Sequence, residues 1–507
     1  MTANFDEALE PTATRGVASQ SKSSTAIGWA TVGFWAGQSV SLGVFLILVT
    51  ILAPIDIGHF ALATVVQMFI GAFVDKAMGE VVIQRAQLSD DMLSTAFFMD
   101  SGLAILLVAT VVLFAEPIAS LLGAAELALV LQVLAIASLM GTLGNIPLAL
   151  LEKQLNFRCS IKIALAAQIA AGTAALTLAL LGWGIWALVA NQIVETVVKS
   201  SLAWITVGWR PKLRVQPSVV RHLLGYWTST IGFRLTYFAR VNTDRLIIGM
   251  LLGPTILGYY TIAYRLVQTA TDTFCEGIAK SILAVLSLLQ GSRTDVADVF
   301  LTYVRTTAIL AFPLFAGLAV IGPDLVILLF GTQWSQTAQI LPYLSLVGLA
   351  VLMLYLFGIA FRAIGYPQAN FWLFATAAFV DAIILVTLLP VGLYICLSVL
   401  VLRAWLYLPA AAYVFRRLFR RPFNATARTL SVGTAGGAAL GLLLVSLSAM
   451  PAISSLDRPE HFAVLFTVAG VFYLAFVSLT ARSFLFEAAC FIRQSLGRPP
   501  AWRKRNA

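Results

Sequence analysis

The sequence predicts an all-α polytopic membrane protein of about fourteen transmembrane helices. They are arranged as two six-helix lobes followed by a C-terminal helical pair. Three observations carry this reading. Of 507 residues, 60% are hydrophobic and only 11% charged, with a mean hydropathy of +0.91; an ordinary soluble domain is about 25% charged. Apolar runs of about 20 residues, the length a helix needs to cross a bilayer, recur from end to end. A spanning barrel would instead show alternating segments of about ten residues. Lysine and arginine, finally, punctuate every second loop.

The chain opens on a polar, Ser/Thr-rich stretch, residues 1–24, with Asp6, Glu7 and Glu10. It has neither the basic start nor the apolar core of a signal peptide, and reads as a disordered cytoplasmic tail. Spans follow at roughly 27–52, 57–82, 93–114, 127–150, 157–181, 184–208, 222–251, 256–286, 299–322, 339–361, 369–389, 392–415, 428–449 and 461–482. Ala53-Pro54, Glu116-Pro117, Gly182 to Gly184, Gly253-Pro254, Pro390 and Pro451 fall between spans, where helix breakers belong. Loops after even-numbered spans hold Arg85, then Lys153, Arg158 and Lys162, then Arg210 to Arg221, Arg293, Arg362, and Arg416 to Arg428. Loops after odd-numbered spans are nearly free of basic residues, Arg458 being the exception. The positive-inside rule then puts both termini in the cytoplasm.

Composition excludes several function classes. The net charge of +10 is spread over loops rather than gathered in a soluble domain, so no nucleic-acid partner is expected. Cys159, Cys275, Cys396 and Cys490 are far apart and read as small apolar fillers. His59, His222 and His461 are equally scattered. No metal site, catalytic residue or cofactor is expected, and no loop is long enough for a catalytic domain.

The longest basic linker, 209–221, follows six spans and is the strongest internal boundary. It divides an N-terminal lobe, 25–208, from a C-terminal lobe, 222–415. A basic loop (416–427), helices 13 and 14 (428–482) and a basic cytoplasmic tail (483–507) complete the chain. An internal repeat supports this division. Leu52, Pro54, Gly58 and Ala63 recur as Leu252, Pro254, Gly258 and Ala263 at one ungapped offset. Both copies open the second span of a six-span block, so the repeats are parallel, about an axis along the membrane normal.

The chemistry is concentrated around Gly253-Pro254. Span 7 carries Arg234, Arg240, Asp244 and Arg245; at 100° per residue Arg234, Tyr237, Arg240 and Asp244 share one arc. In span 8, Thr261, Arg265, Gln268, Thr269, Asp272 and Glu276 form one helical stripe, opposite Ile262, Leu266, Val267 and Phe274. A charged side chain at the bilayer centre costs on the order of 2.5–3.5 kcal/mol, so such a stripe faces protein or a watery cavity. The simpler use is structural: Arg234 and Arg240 paired with Asp272 and Glu276. The functional use is a cationic path, since Arg234, Arg240, Arg245, Arg265, Lys280 and Arg305 outnumber Asp244, Asp272 and Glu276. Arginine forks suit phosphate. The first lobe offers secondary candidates: Asp75, Lys76 and Glu80 in span 2, Glu195 and Lys199 in span 6. Lys76 with Glu80, and Glu195 with Lys199, are spaced for intrahelical pairs. Asp100, Asp381 and Arg403 stand alone in sequence. Gly433, Gly437 and Gly441 lie four apart in span 13 and make a close-packing face.

The phrases LAPIDIGHFALA and DKAMGEVVIQR in the first lobe, and NTDRLIIGMLLGPTILGYYTIAYR in the second, resemble the polysaccharide flippases of the multidrug/oligosaccharidyl-lipid/polysaccharide exporter superfamily. The similarity is greatest to bacterial exporters of O-antigen, exopolysaccharide and teichuronic acid units. It covers spans 1–12; the last two are generic. The resemblance implies two lobes around a central cavity, alternating access, and an undecaprenyl-pyrophosphate-linked oligosaccharide as cargo, moved across the bacterial inner membrane. It makes a proton or sodium gradient the candidate energy source. Membrane lipids, a polysaccharide polymerase and export machinery are the candidate partners. Arg240 and Arg265 match positions where the family often carries charge. Two other readings remain at this stage: a drug/cation antiporter of the same superfamily, which should have a net acidic cavity, and a membrane-embedded glycosyltransferase or polymerase, which should have a long extramembrane loop.

Overall fold

The computed structural model describes residue 33 and residues 35–74, 77–84, 89–154, 156–213, 216–288, 293–419 and 423–480. Among these every regular element is helical. Among the described residues eleven helices are long and apolar enough to cross a membrane. The fourteen expected spans relate to them simply. Span 1 appears as a shorter apolar helix, α1 (Trp35–Ile51). Span 6 is α8 (Ile185–Val207), whose apolar run is interrupted by Asn191, Gln192, Glu195 and Lys199. Spans 7 and 8 are the two arms of one helix, α9 (Pro217–Leu288), bent at Gly253. The chain divides into two compact units, Met1–Thr255 and Ile256–Ala507.

In the first unit α2 (Pro54–Val74) is followed by a short α3 (Ala77–Gln84), so span 2 is two helices rather than one. Next come α4 (Asp90–Leu113), α5 (Ala115–Leu121), a 3-10 turn at Ala125–Leu127, α6 (Ala128–Lys153) and α7 (Phe157–Leu180). Local chemistry sets the ends. Ser89 caps α4 by accepting from the Met92 N–H, and Asn156 caps α7 by accepting from the Cys159 N–H, each satisfying an orphan donor of the first turn. Lys153 donates to the Val82 carbonyl near the end of α3, where a cation meets the negative end of the helix dipole. Helix α7 lies along α8. It buries Ala167, Ala171, Ala175 and Ala179, a four-residue stripe of small side chains that lets the backbones approach. Leu62, Ile70, Leu127, Leu131 and Leu134 are fully buried, making an aliphatic core.

The second unit holds the second arm of α9, then α10 (Arg293–Phe330), α11 (Ser335–Ala363), α12 (Pro367–Leu388), α13 (Leu393–Phe419), α14 (Phe423–Ser448), α15 (Pro451–Ser454) and α16 (Arg458–Thr480). Its core is aromatic. Phe300, Phe357 and Phe415 meet with ring centroids 5.0–5.8 Å apart, and Phe415 stacks on Phe419 at 4.4 Å. Such pairs add about 0.5–1.5 kcal/mol beyond their burial. The C-terminal pair packs on α10, and the glycine stripe explains how. A Cβ on Gly433 would lie 2.7 Å from the backbone of Ala308, and one on Gly437 would lie 2.9 Å from Phe312 Cβ. The stripe is therefore a packing face within the chain.

Candidate functional site

The second arm of α9 has two faces with different work. Ile262 and Ala263 are fully buried, and Val267 and Thr271 nearly so. Val267 and Thr271 flank Gly348 of α11, whose missing side chain admits them. Thr337 donates to the Tyr259 carbonyl, and the Tyr259 ring meets Trp334 edge-on at 5.9 Å. The apolar face is thus fixed to the unit's own core. The opposite face carries the predicted stripe. Arg265 is exposed, with Thr269 and Thr273 following it one turn at a time; Thr269 donates to the Arg265 carbonyl and Thr273 to that of Thr269. Gln268 donates to the Asp272 carboxylate at 2.7 Å. This bond aligns the carboxylate along the helix and employs one of its oxygens. Glu276 and Lys280 continue the helix, but their side chains lie outside the described residues. Arg305, on α10, is exposed.

On the first arm, Arg240 is exposed and its guanidinium lies over the Tyr237 ring at 5.4 Å, a cation–π contact between neighbours on the arc seen in the sequence. Arg234 and Asp244 are half-buried, and Asp244 accepts the Arg245 N–H at 2.9 Å. Arg234, Arg240, Asp244, Arg265 and Asp272 all make further contacts. These residues are embedded in the polar fabric of the protein.

The secondary candidates fare differently. Asp75 and Lys76 lie outside the described residues, as does the side chain of Glu80. Glu195 and Lys199 are half-buried on α8 one turn apart, without an ion pair between them among the described residues. Two charges that look solitary in sequence are partnered in space. Asp381 of α12 and Arg403 of α13 form an ion pair, and Arg403 also lies over the Tyr407 ring at 5.4 Å. Asp100 of α4 is buried and accepts from Asn145 of α6 at 3.4 Å. Sequence reading misses these because the partners are distant in the chain. It also misses Asn242, fully buried on the first arm, whose amide donates to the Phe238 carbonyl. A further pair of contacts ties helices together near their ends: His59 to Glu126, and His461 to Asp324, each at 2.9 Å.

The chemistry of the main set is clear. In the second unit Arg265 and Arg305 are exposed, and in the first Arg240 is; a guanidinium is a planar donor fork of the kind that suits an oxyanion. Hydroxyl and amide groups at Thr269, Thr273 and Gln268 line the same helix as Arg265. Among the described residues no cluster of three or more His, Cys, Asp or Glu side chains could hold a metal.

Similar proteins bear on what such a surface is for. The chain is 22% identical over 320 residues to the succinoglycan biosynthesis transport protein ExoT of Rhizobium meliloti, covering 63% of this chain and 65% of that one. It is 25% identical over 320 residues to the lipopolysaccharide biosynthesis protein WzxC of Escherichia coli, covering 61% and 64%. With the teichuronic acid biosynthesis protein TuaB of Bacillus subtilis it shares 24% over 290 residues, covering 56% and 60%. The chain spans a little under two thirds of the length of these curated relatives. In fold it is similar to the lipid II flippase MurJ in its inward closed conformation, with a TM-score of 0.72 at 14% identity over 90% of this chain and 99% of that one. An inward-facing multidrug resistance MATE family transporter of the MOP superfamily gives 0.55 at 13% identity over 86% and 99%. The fold is therefore that of this transporter group. A protein-family model described as polysaccharide biosynthesis protein matches residues 47–339, more than half of the sequence, and the chain belongs to that family.

Proposed function

We propose that this multi-pass membrane protein is a flippase for a lipid-linked oligosaccharide, an undecaprenyl-pyrophosphate-linked repeat unit destined for exopolysaccharide or O-antigen. One observation carries the reading: the Arg265–Thr273 face of α9 is polar and turned away from its own unit's core, while the opposite face is fixed to α11. Arg265 is an exposed guanidinium on this polar face, and a pyrophosphate headgroup is the ligand an arginine fork suits. The names of the relatives, all in polysaccharide biosynthesis, point the same way. In this reading the sugar enters a polar path while the polyprenyl tail stays in the bilayer. The cycle is alternating access between the cytoplasmic and periplasmic sides of the bacterial inner membrane, with both termini cytoplasmic. It involves no bond chemistry on the sugar and draws on a proton or sodium gradient. Its partners are the polymerase and export machinery that receive the flipped lipid.

The test is depletion of the protein followed by lipid extraction. Lipid-linked oligosaccharide should accumulate in the inner leaflet while surface polysaccharide falls. Unchanged surface polysaccharide and no accumulation would sink the proposal.

A further inference from the structure

Within the second unit, the first turns of α11 have a closed and an open side. Thr337, Ala338 and Leu341 are buried, and Thr337 is bonded to the Tyr259 carbonyl. At about 100° per residue Gln336, Gln339 and Tyr343 share one arc on the other side. The two glutamines are exposed and the tyrosine is half-buried. Helix α13 packs along α11 and brings Tyr394 beside them. The Tyr394 hydroxyl donates to Gln339 Oε1 at 2.5 Å, and the Tyr343 and Tyr394 rings stand 6.2 Å apart. Tyr394 is exposed, as is Ser398 one turn on, whose hydroxyl donates to the Tyr394 carbonyl.

The chemistry of this end differs from that of the arginine face. The first charged residue of α11 is Arg362, in its last turn, and the first of α13 is Arg403, so this end offers no ion partner. The bond from Tyr394 employs the oxygen of the Gln339 amide, so the amide presents its N–H donors. Gln336, one turn earlier, adds a second amide. Two tyrosine rings add apolar faces with polar tips. A pyranose has the matching build, with C–H bonds on its faces and hydroxyls around its edge. A lipid tail would cover the rings but would strip water from both amides without replacing it. The opposite ends of the two helices carry Arg362, Arg416 and Arg417, the basic ends that the positive-inside rule assigns to the cytoplasm.

We propose that Gln336, Gln339, Tyr343 and Tyr394 form a subsite for a neutral sugar of the cargo, at the extracytoplasmic end of α11 and α13. The inference rests on the flippase reading and adds a division of labour to it. The arginine face takes phosphate, and this uncharged end takes sugar. Tyrosines at a helix end also serve as interfacial anchors, and the two roles separate by experiment.

The test uses the full chain in nanodiscs and the oligosaccharide released by mild acid from the host's own polyprenyl-linked lipids, a probe with neither phosphate nor tail. Saturation-transfer NMR reads its binding. Inorganic pyrophosphate, read by phosphorus line broadening in the same samples, is the second probe. Wild type should bind both. Tyr343→Leu with Tyr394→Leu should weaken sugar binding about fivefold or more and leave pyrophosphate binding unchanged. Gln336→Leu, at an exposed position, should weaken sugar binding about twofold or more, again without effect on pyrophosphate; it decides alone if the double variant loses both probes. Pyrophosphate binding without sugar binding in wild type, or sugar binding that the variants leave unchanged, overturns the inference and leaves the flippase reading standing. Wild type that binds neither probe overturns both.

Discussion

Helix α2 and the second arm of α9 begin alike. Each opens on a proline, Pro54 or Pro254, at its first helical position. Each then buries the same places at one constant offset: Ile57 with Leu257, Gly58 with Gly258, Leu62 with Ile262, Ala63 with Ala263. Two residues later they part. Val65 is 2% exposed and belongs to the aliphatic core, whereas Arg265 is exposed at the head of the polar stripe. The turn before them differs in residue too: Gly253 takes a positive φ of 83°, and alanine stands at position 53. The same burial pattern is present twice, and at this position the second copy bears an exposed charge where the first bears a buried valine.

Substitutions that exchange the two copies test this contrast. Val65→Arg copies the second helix into the first and has the largest expected effect. An unpaired charge in a buried site costs on the order of 3–5 kcal/mol, so the variant should show a large loss in melting temperature in detergent. Ala63→Leu and Ala263→Leu should each cost about 1–3 kcal/mol by overpacking, and by similar amounts in the same melting assay. A silent variant on one side would mean that the shared burial pattern is superficial. Gly253→Ala should cost about 1–3 kcal/mol, because its φ of 83° and ψ of 171° are essentially reserved for glycine, while Ala53→Gly, just outside its helix, should cost less than the ~0.5–1 kcal/mol of a helix-interior glycine; equal shifts in the melt would mean that the two turns do not differ in backbone. Arg265→Val, the reverse exchange, removes the contacts of an exposed residue and should cost about 1 kcal/mol or less. Its effect belongs to transport: losing one charge-assisted hydrogen bond of about 1.5–3 kcal/mol lowers flipping about tenfold or more.

How much of this was legible in the sequence follows from the range over which each interaction acts. Membrane character and the two arms of α9 are written in local composition and in Gly253-Pro254, because backbone punctuation acts on adjacent residues. The polar face of the second arm was legible as a helical period, since Arg265, Gln268, Thr269 and Asp272 repeat on one side. The glycine stripe in α14 was legible as a packing face, though its partner Ala308 was not. The Asp381–Arg403 pair and the Asp100–Asn145 contact were hidden, because each joins helices far apart in the chain. The docking of Lys212 and Gln216 on α4 was hidden for the same reason; Lys212, a loop cation that answers to the positive-inside rule, also pairs with Asp90.

The most direct measurement is flipping by the purified chain in proteoliposomes loaded on one leaflet with a fluorescent pyrophosphate-linked polyprenyl oligosaccharide, read by quenching from outside. Wild-type protein should move the lipid between leaflets, and Arg240→Ala with Arg265→Ala should slow it at least tenfold without changing the amount of folded protein inserted. Equal rates for wild type, the double variant and empty vesicles would contradict the account.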